Sequence, residues 1–422
     1  MLKTCLKRTE KISDFFKINS ENEKFYKKLL KIVGKDESLK LSPHERWEYF
    51  RKNKHCVLLQ VTKKCNSKCK ICYMANENYE EITIKDLKWI LKKIGKKKVI
   101  LFEGGEPTTR KDIFQMIELV KKSGNIPEIY TNGLKLANLK YVKKLKKSGL
   151  SRVHFSFDGF REEIYKKLRG DGRQLQLKIR ALKNLQKVGI KTILSSVISC
   201  GVNEDQISEL LKFCALSAYK NDFIEGIRFF GIVPYGRFEI DVEKFMKPID
   251  IMERLEMITN GGIRKEYFLE FKRFLMNLNN LFGKFGIYFP YYYAAPTAIF
   301  KVTMREQFSS KINNFNIANN DGGIIEIKEL IELKELKKIN DMLEKFKLPS
   351  LMIYTLKMKL VKHILNLIKG KLRDSVLGRG RFVISVGLPI SPISTRGMKT
   401  DSWDIRKYKG RITLSSVGVG AE

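Results

Sequence analysis

From residue 56 to residue 233, apolar runs of strand length alternate with amphipathic stretches of helix length, which restricts the fold more than any other feature of the chain. CVLLQVT, KVILFE, PEIYT, RVHFSF, KTILSSVIS and GIRFFGIV are short and rich in β-branched and aromatic residues, as strands are. Between them ITIKDLKWILKKIG, DIFQMIELVKKSG, LKYVKKLKKSG, LKIRALKNLQKVG and EDQISELLKFCAL place apolar residues at helical spacing. The first of these has Thr83 as N-cap, Asp86 three residues on in the manner of a capping box, and Gly95 at its stop. Repeats of this kind give parallel strands joined by right-handed crossovers. The expected fold class is α/β: a partial (β/α)6 barrel over residues 51–240, a helical lead-in at 1–50 and an α+β domain at 241–422.

The chemistry gathers where such sheets place it, just past the carboxyl ends of the strands. Cys65, Cys69 and Cys72 follow the first strand in QVTKKCNSKCKICYMAN. Three thiolates at CxxxCxxC spacing hold three irons of a 4Fe–4S cube and leave the fourth open, whereas structural zinc normally takes four ligands. The alternative is a zinc knuckle completed by a distant histidine. Gly104, Gly105, Glu106 and Pro107 follow the second strand, Thr131-Asn132-Gly133 the third, and Ser156-Phe157-Asp158-Gly159 the fourth. Glycines without Cβ let backbone approach a ligand closely, although a double glycine is also an ordinary turn. Ser156 and Asp158 alternate and therefore share a face, where they suit ligand hydroxyls or satisfy backbone at a strand end. Asn132 and Asn203 offer amides to a ligand or tolerate a left-handed turn. Cys200 is expected to be an inert buried thiol.

The four motifs, in this order, resemble the radical S-adenosylmethionine (radical SAM) enzymes. The resemblance covers residues 51–240 and implies a radical SAM barrel whose cluster is held by Cys65, Cys69 and Cys72. It implies that S-adenosylmethionine binds the open iron, with Gly104, Gly105 and Glu106 at its amino group and Ser156 and Asp158 at its ribose. Asn132 would meet the adenosine, and Ile71 the adenine. The implied chemistry is reductive cleavage to a 5'-deoxyadenosyl radical that abstracts hydrogen from an unactivated carbon, with a low-potential electron donor as partner. FDGFREEIYKKLRG, VISCGVNEDQISELLKF and IRFFGIVPYGRF further resemble the archaeal tetraether-lipid-synthase-like subgroup. That subgroup carries extra cysteines for auxiliary clusters and a rubredoxin-like iron, and residues 215–422 contain none.

Lys and Arg total 82 against 46 acidic residues, a net charge of +36, which suits nucleic acid, an anionic membrane surface or an acidic substrate. The opening MLKTCLKRTEKISDFF has no apolar signal core, and seven cysteines with three assigned to a cluster do not suggest a disulfide framework. The expected location is cytoplasmic, peripheral to a membrane at most. LMIYTLKMKLVKHILNLIKGKL has the pattern of a basic amphipathic helix, and Tyr291 to Tyr293 could line a pocket. Three functional readings follow: radical chemistry on a membrane lipid or other apolar substrate; the same chemistry on RNA or a cofactor precursor; and a non-catalytic cluster-bearing or RNA-binding protein.

Overall fold

The structure is a computed structural model of the 422-residue chain. It describes residues 56–72, 81–96, 98–232, 237, 239–240, 246, 248–282, 297–305, 317–318, 324–345, 381–387 and 412–415. The lead-in at 1–50, Tyr291 to Tyr293 and the amphipathic stretch at 351–372 lie outside them.

Six strands, β1 (Cys56–Thr62), β2 (Val99–Gly104), β3 (Ile126–Thr131), β4 (Arg152–Ser156), β5 (Lys191–Ile198) and β6 (Ile224–Gly231), pair in parallel and in chain order. The helices between them are α1 (Ile84–Ile94), α2 (Ile113–Lys122), α3 (Leu139–Lys147), α4 (Glu162–Arg169), α5 (Gln174–Val188) and α6 (Gln206–Lys220). This is the α/β, partial (β/α)6 barrel that the alternation predicts. The capping box of α1 is formed, with the Asp86 amide donating to Thr83 Oγ1 at 3.1 Å and the Thr83 amide to Asp86 Oδ2 at 3.0 Å. Helix α4 is an element the periodicity did not single out.

Beyond β6 the chain adds α7 (Pro248–Ile258), α8 (Lys265–Phe282), β7 (Thr297–Arg305), β8 (Ile317–Ala318), β9 (Ile324–Glu329), α9 (Leu333–Glu344), β10 (Arg381–Gly387) and β11 (Ile412–Ser415). These strands extend the barrel sheet: β10 lies parallel to β6, β7 and β9 continue antiparallel from it, and β11 covers β1 antiparallel. Both outer strands of the parallel set thereby find partners for backbone groups that would otherwise be unpaired.

The two faces of the parallel sheet differ in kind. One face packs Val57, Leu59, Val61, Ile100, Phe102 and Ile129, with their counterparts on the later strands, against the helices in one apolar cluster. The alternate positions face the other way, into the barrel. There Leu58, Val99 and Leu101 form a small apolar patch with Ile126 and Tyr130 against it, Ile193 and Phe230 are buried at the matching positions of β5 and β6, and beside them lie the buried polar residues Gln60, Glu103, Glu128, Arg152, His154, Ser195 and Arg228.

Candidate cluster and cofactor site

The three cysteines lie in the loop leaving β1, and backbone contacts from four directions hold that loop. Gly105 donates its amide to Thr62 O at 2.7 Å, and Glu106 donates to Lys64 O at 2.8 Å. Lys70 donates to Leu168 O at the end of α4 at 3.0 Å, while Arg237 and Glu239 donate to Cys72 O and Lys70 O at 2.8 and 2.9 Å. Arg110 Nη1 adds a bond to Val61 O at 2.6 Å. The sulfurs are addressed as well: Ser67 N donates to Cys65 Sγ at 3.4 Å, Ser67 Oγ lies 3.2 Å from Cys69 Sγ, and Asn132 Nδ2 lies 3.8 Å from Cys65 Sγ. Burial first, then the charges of Glu106, Cys69 and Cys72, push the Cys65 thiol up to about 11. A bound cation reverses that mutual repulsion, since metal binding deprotonates a coordinating thiol.

Among the described residues no three His, Cys, Asp or Glu side chains are grouped to hold one metal ion. A zinc knuckle needs such convergence. An iron–sulfur cube does not, because each thiolate serves a different iron. Three thiolates in one loop are a donor set that fits the cube.

Gly104 and Gly105 are required by the fold of this loop itself. Gly104 has φ +125°, a conformation closed to most side chains. A Cβ on Gly105 would stand 2.4 Å from Lys64 O and 2.6 Å from Lys63 O, so the missing side chain admits the cysteine loop. The Glu106 carboxylate is fully buried and turned into the protein. Its Oε1 accepts from Thr108 N, Thr108 Oγ1 and Thr131 Oγ1 at 3.1, 2.6 and 2.8 Å, and its Oε2 accepts from Asn132 N at 2.6 Å. Glu106 thus ties the second motif to the third. Burial raises its pKa, opposed by these four bonds.

The Asn132 amide group reaches the cysteine loop, donating to Asn66 Oδ1 at 2.9 Å and accepting from Leu134 N at 3.0 Å. Asp158 lies beyond the end of β4, wholly buried. Its carboxylate accepts from Arg169 Nε and Nη2 at 2.7 and 2.9 Å and from Val197 N at 3.0 Å. Arg169 also hydrogen-bonds Cys69, so Asp158 acts on the cysteine loop through a guanidinium. Ser156, by contrast, is half-buried at the end of β4. Asn203 is buried and structural, donating to Asp158 O and Val197 O at 2.9 and 2.8 Å. Ile71 belongs to the apolar cluster; Cys200, expected as an inert buried thiol, is partly buried against that cluster and is disulfide-bonded instead.

The structure therefore brings Gly105, Glu106 and Asn132 to the cysteine loop and gives the carboxylates of Glu106 and Asp158 protein partners. Sequence reasoning passed over Arg169, Arg237 and Lys178. Lys178 is fully buried on α5, where its Nζ donates to Asn132 O at 2.6 Å and Ser156 O at 2.7 Å, bridging the ends of β3 and β4. Burial, then the nearby Arg169 charge, lowers its pKa to about 8. Its signal was legible: Lys178 sits at an apolar position of the helix, between Leu175 and Leu182.

Residues 59–214 match the family model of the Radical SAM superfamily. Over this segment the chain is similar to the radical SAM superfamily. The superfamily uses a 4Fe–4S cluster and S-adenosylmethionine. Among curated relatives, the 7,8-dihydro-6-hydroxymethylpterin dimethyltransferase of Methanocaldococcus jannaschii is 32% identical over 50% of this chain and 43% of its own length. The Fe-coproporphyrin III synthase of Methanosarcina barkeri is 31% identical over 55% of this chain and 59% of its own. A probable GTP 3',8-cyclase of Archaeoglobus fulgidus is 32% identical over 43% and 61%. The chain thus spans about half the length of the radical SAM relatives it matches. Streptococcus suis SuiB bound to its precursor peptide SuiA superposes with a TM-score of 0.42 at 22% identity, over 59% of this chain and 58% of SuiB.

Proposed function

We propose that this protein is a radical SAM enzyme acting on a small polar molecule held inside the barrel. The observation that carries the reading is the three-cysteine loop docked at the strand ends above an interior lined by Glu103, Glu128, Arg152, His154 and Arg228. When bound, the cluster and S-adenosylmethionine supply a 5'-deoxyadenosyl radical able to take hydrogen from an unactivated carbon. Cys65, Cys69 and Cys72 hold the cluster, and the backbone around Gly104 and Gly105 fixes the loop that carries them. Arg169, between Asp158 and Cys69, places positive charge beside a cluster ligand. Ser156 is the hydroxyl for the ribose at the end of β4. A low-potential electron donor completes the system.

A polar substrate agrees with the relatives, whose names refer to a pterin, a porphyrin and GTP. The second reading, a membrane lipid, rests on the likeness to the tetraether-lipid-synthase-like subgroup and on the charge of +36. A lipid chain would have to lie against the charged Glu103, Glu128, Arg152 and Arg228, which lose water without gaining a partner when apolar surface covers them. RNA as substrate rests on the charge alone.

The test is anaerobic reconstitution. The full chain binds about four irons and four sulfides, and Cys65→Ala, Cys69→Ala and Cys72→Ala each abolish this. The reduced protein releases 5'-deoxyadenosine from S-adenosylmethionine. Wild-type iron content in all three variants, or no cleavage by the loaded protein, would sink the reading. Stimulation of cleavage by anionic liposomes and not by small polar compounds would install the lipid alternative.

A further inference from the structure

Two arginines are buried on the inner face of the sheet, and among the described residues only one has carboxylate partners. Arg152 on β4 pairs with two carboxylates, Glu128 Oε1 at 3.1 Å from its Nη1 and Glu225 Oε2 at 2.5 Å. Arg228 on β6 is 8% exposed, and its Nη1 donates to the Tyr130 hydroxyl at 3.1 Å. No described carboxylate forms an ion pair with it. A guanidinium removed from water without an opposing charge is unfavourable, which is why buried cations are nearly always paired.

The neighbouring groups carry the same signature. Tyr130, on β3, also receives a hydrogen bond from Ser195 Oγ at 3.5 Å. His154 stacks against the Tyr130 ring at 4.9 Å and is 1% exposed. Its Nε2 lies 2.8 Å from Glu128 Oε2, and its Nδ1 has no partner. Burial, then the charges of Arg228 and Arg152, hold the imidazole well below its usual range. In the neutral form Nε2–H donates to Glu128, and Nδ1 is a bare acceptor. Strands β3, β4 and β6 thus converge on a place with a cation lacking an anion beside an acceptor lacking a donor.

We propose that Arg228, supported by Tyr130 and His154, is the specificity-determining receptor for an anionic group, carboxylate or phosphate, on the substrate inside the barrel. This rests on the reading that the barrel interior takes the substrate. It narrows the substrate class to acids and phosphate esters that carry a hydrogen-bond donor near the anion. Arg228 supplies two-pronged recognition that a point charge does not match.

Thermal unfolding of the full chain tests it, with inorganic phosphate, pyrophosphate and succinate as separate probes. Wild type gains melting temperature in a saturable way with at least one probe, Arg228→Met gains none, and Arg228→Lys gains less. Without a probe Arg228→Met melts at or above wild type, whereas Arg152→Met melts below it. Repetition in saturating S-adenosylmethionine separates the two sources of an anion: a shift that persists belongs to a substrate site. Three results overturn the proposal: no shift in wild type, an equal shift in Arg228→Met, or a shift abolished by S-adenosylmethionine, which would give Arg228 to the cofactor's own carboxylate. Because unfolding is read on unreduced protein, failure of S-adenosylmethionine cleavage refutes the radical reading separately from Arg228.

Discussion

Along β2, Ile100 and Phe102 turn toward the helices while Leu101 and Glu103 turn into the barrel, and the same division runs along β3 and β4. Each strand therefore serves two surfaces of opposite character. The helix-facing residues supply folding free energy, about 1.5–3 kcal/mol for each large apolar side chain taken fully out of water. Of the inward residues, Leu58, Val99, Leu101, Ile193 and Phe230 contribute in the same way, while the charged ones do not. Buried ion pairs such as those of Arg152 roughly offset their own desolvation. The contrast teaches that the inner face is organised for binding and is supported energetically by the outer one.

The largest expected effect lies at the rim, where the two faces meet. Gly105→Val places a side chain against the backbone of Lys63 and Lys64, so iron loading on reconstitution should fall to background while far-UV circular dichroism remains near wild type. Retained iron would mean that the loop tolerates displacement. Next comes the outer face: Phe102→Ala should lower unfolding stability in denaturant by about 3–5 kcal/mol, through lost burial and the cavity left behind. On the inner face Arg152→Met should lower it by about 3 kcal/mol, because two buried glutamates lose their counter-charge. A near-zero effect would show that water reaches this part of the barrel.

The smallest effect concerns the exception to the rule, the cation Lys178 among apolar side chains. With a folded pKa of about 8 against 10.5, the unfolded chain binds more protons than the folded one between those values. Stability should rise with pH across that window, by up to roughly 3 kcal/mol. Urea unfolding of wild type and Lys178→Met at both ends of the window checks this: the rise should be missing in the variant.

Much of the architecture was legible because it follows from short-range pattern. Strand-length apolar runs and the Thr83 capping box needed no knowledge of distant residues, and they anticipated β1 to β6 and α1. Helix α4 escaped notice because its eight residues contribute only Ile164, Tyr165 and Leu168 to the core. It matters nonetheless, since it delivers Arg169 to Cys69 and Asp158. For the site, spacing identified the residues but not their orientations. Glu106 and Asp158 were expected at the ligand, and the structure adds that each carboxylate accepts bonds from other loops or helices.

What the sequence by itself determined is the strands β1 to β6, the helices α1, α2, α3, α5 and α6 between them, and the grouping of three thiols in one loop, since periodicity and spacing depend on residues a few positions apart. Tertiary structure alone decided that β10 and β11 flank the parallel strands, that Arg152 meets Glu128 and Glu225, and that Arg228 meets no carboxylate among the described residues. The reason is physical. Whether a buried charge is neutralised depends on which strands become neighbours and in what register, and that is a property of long-range pairing that no local stretch of the chain encodes.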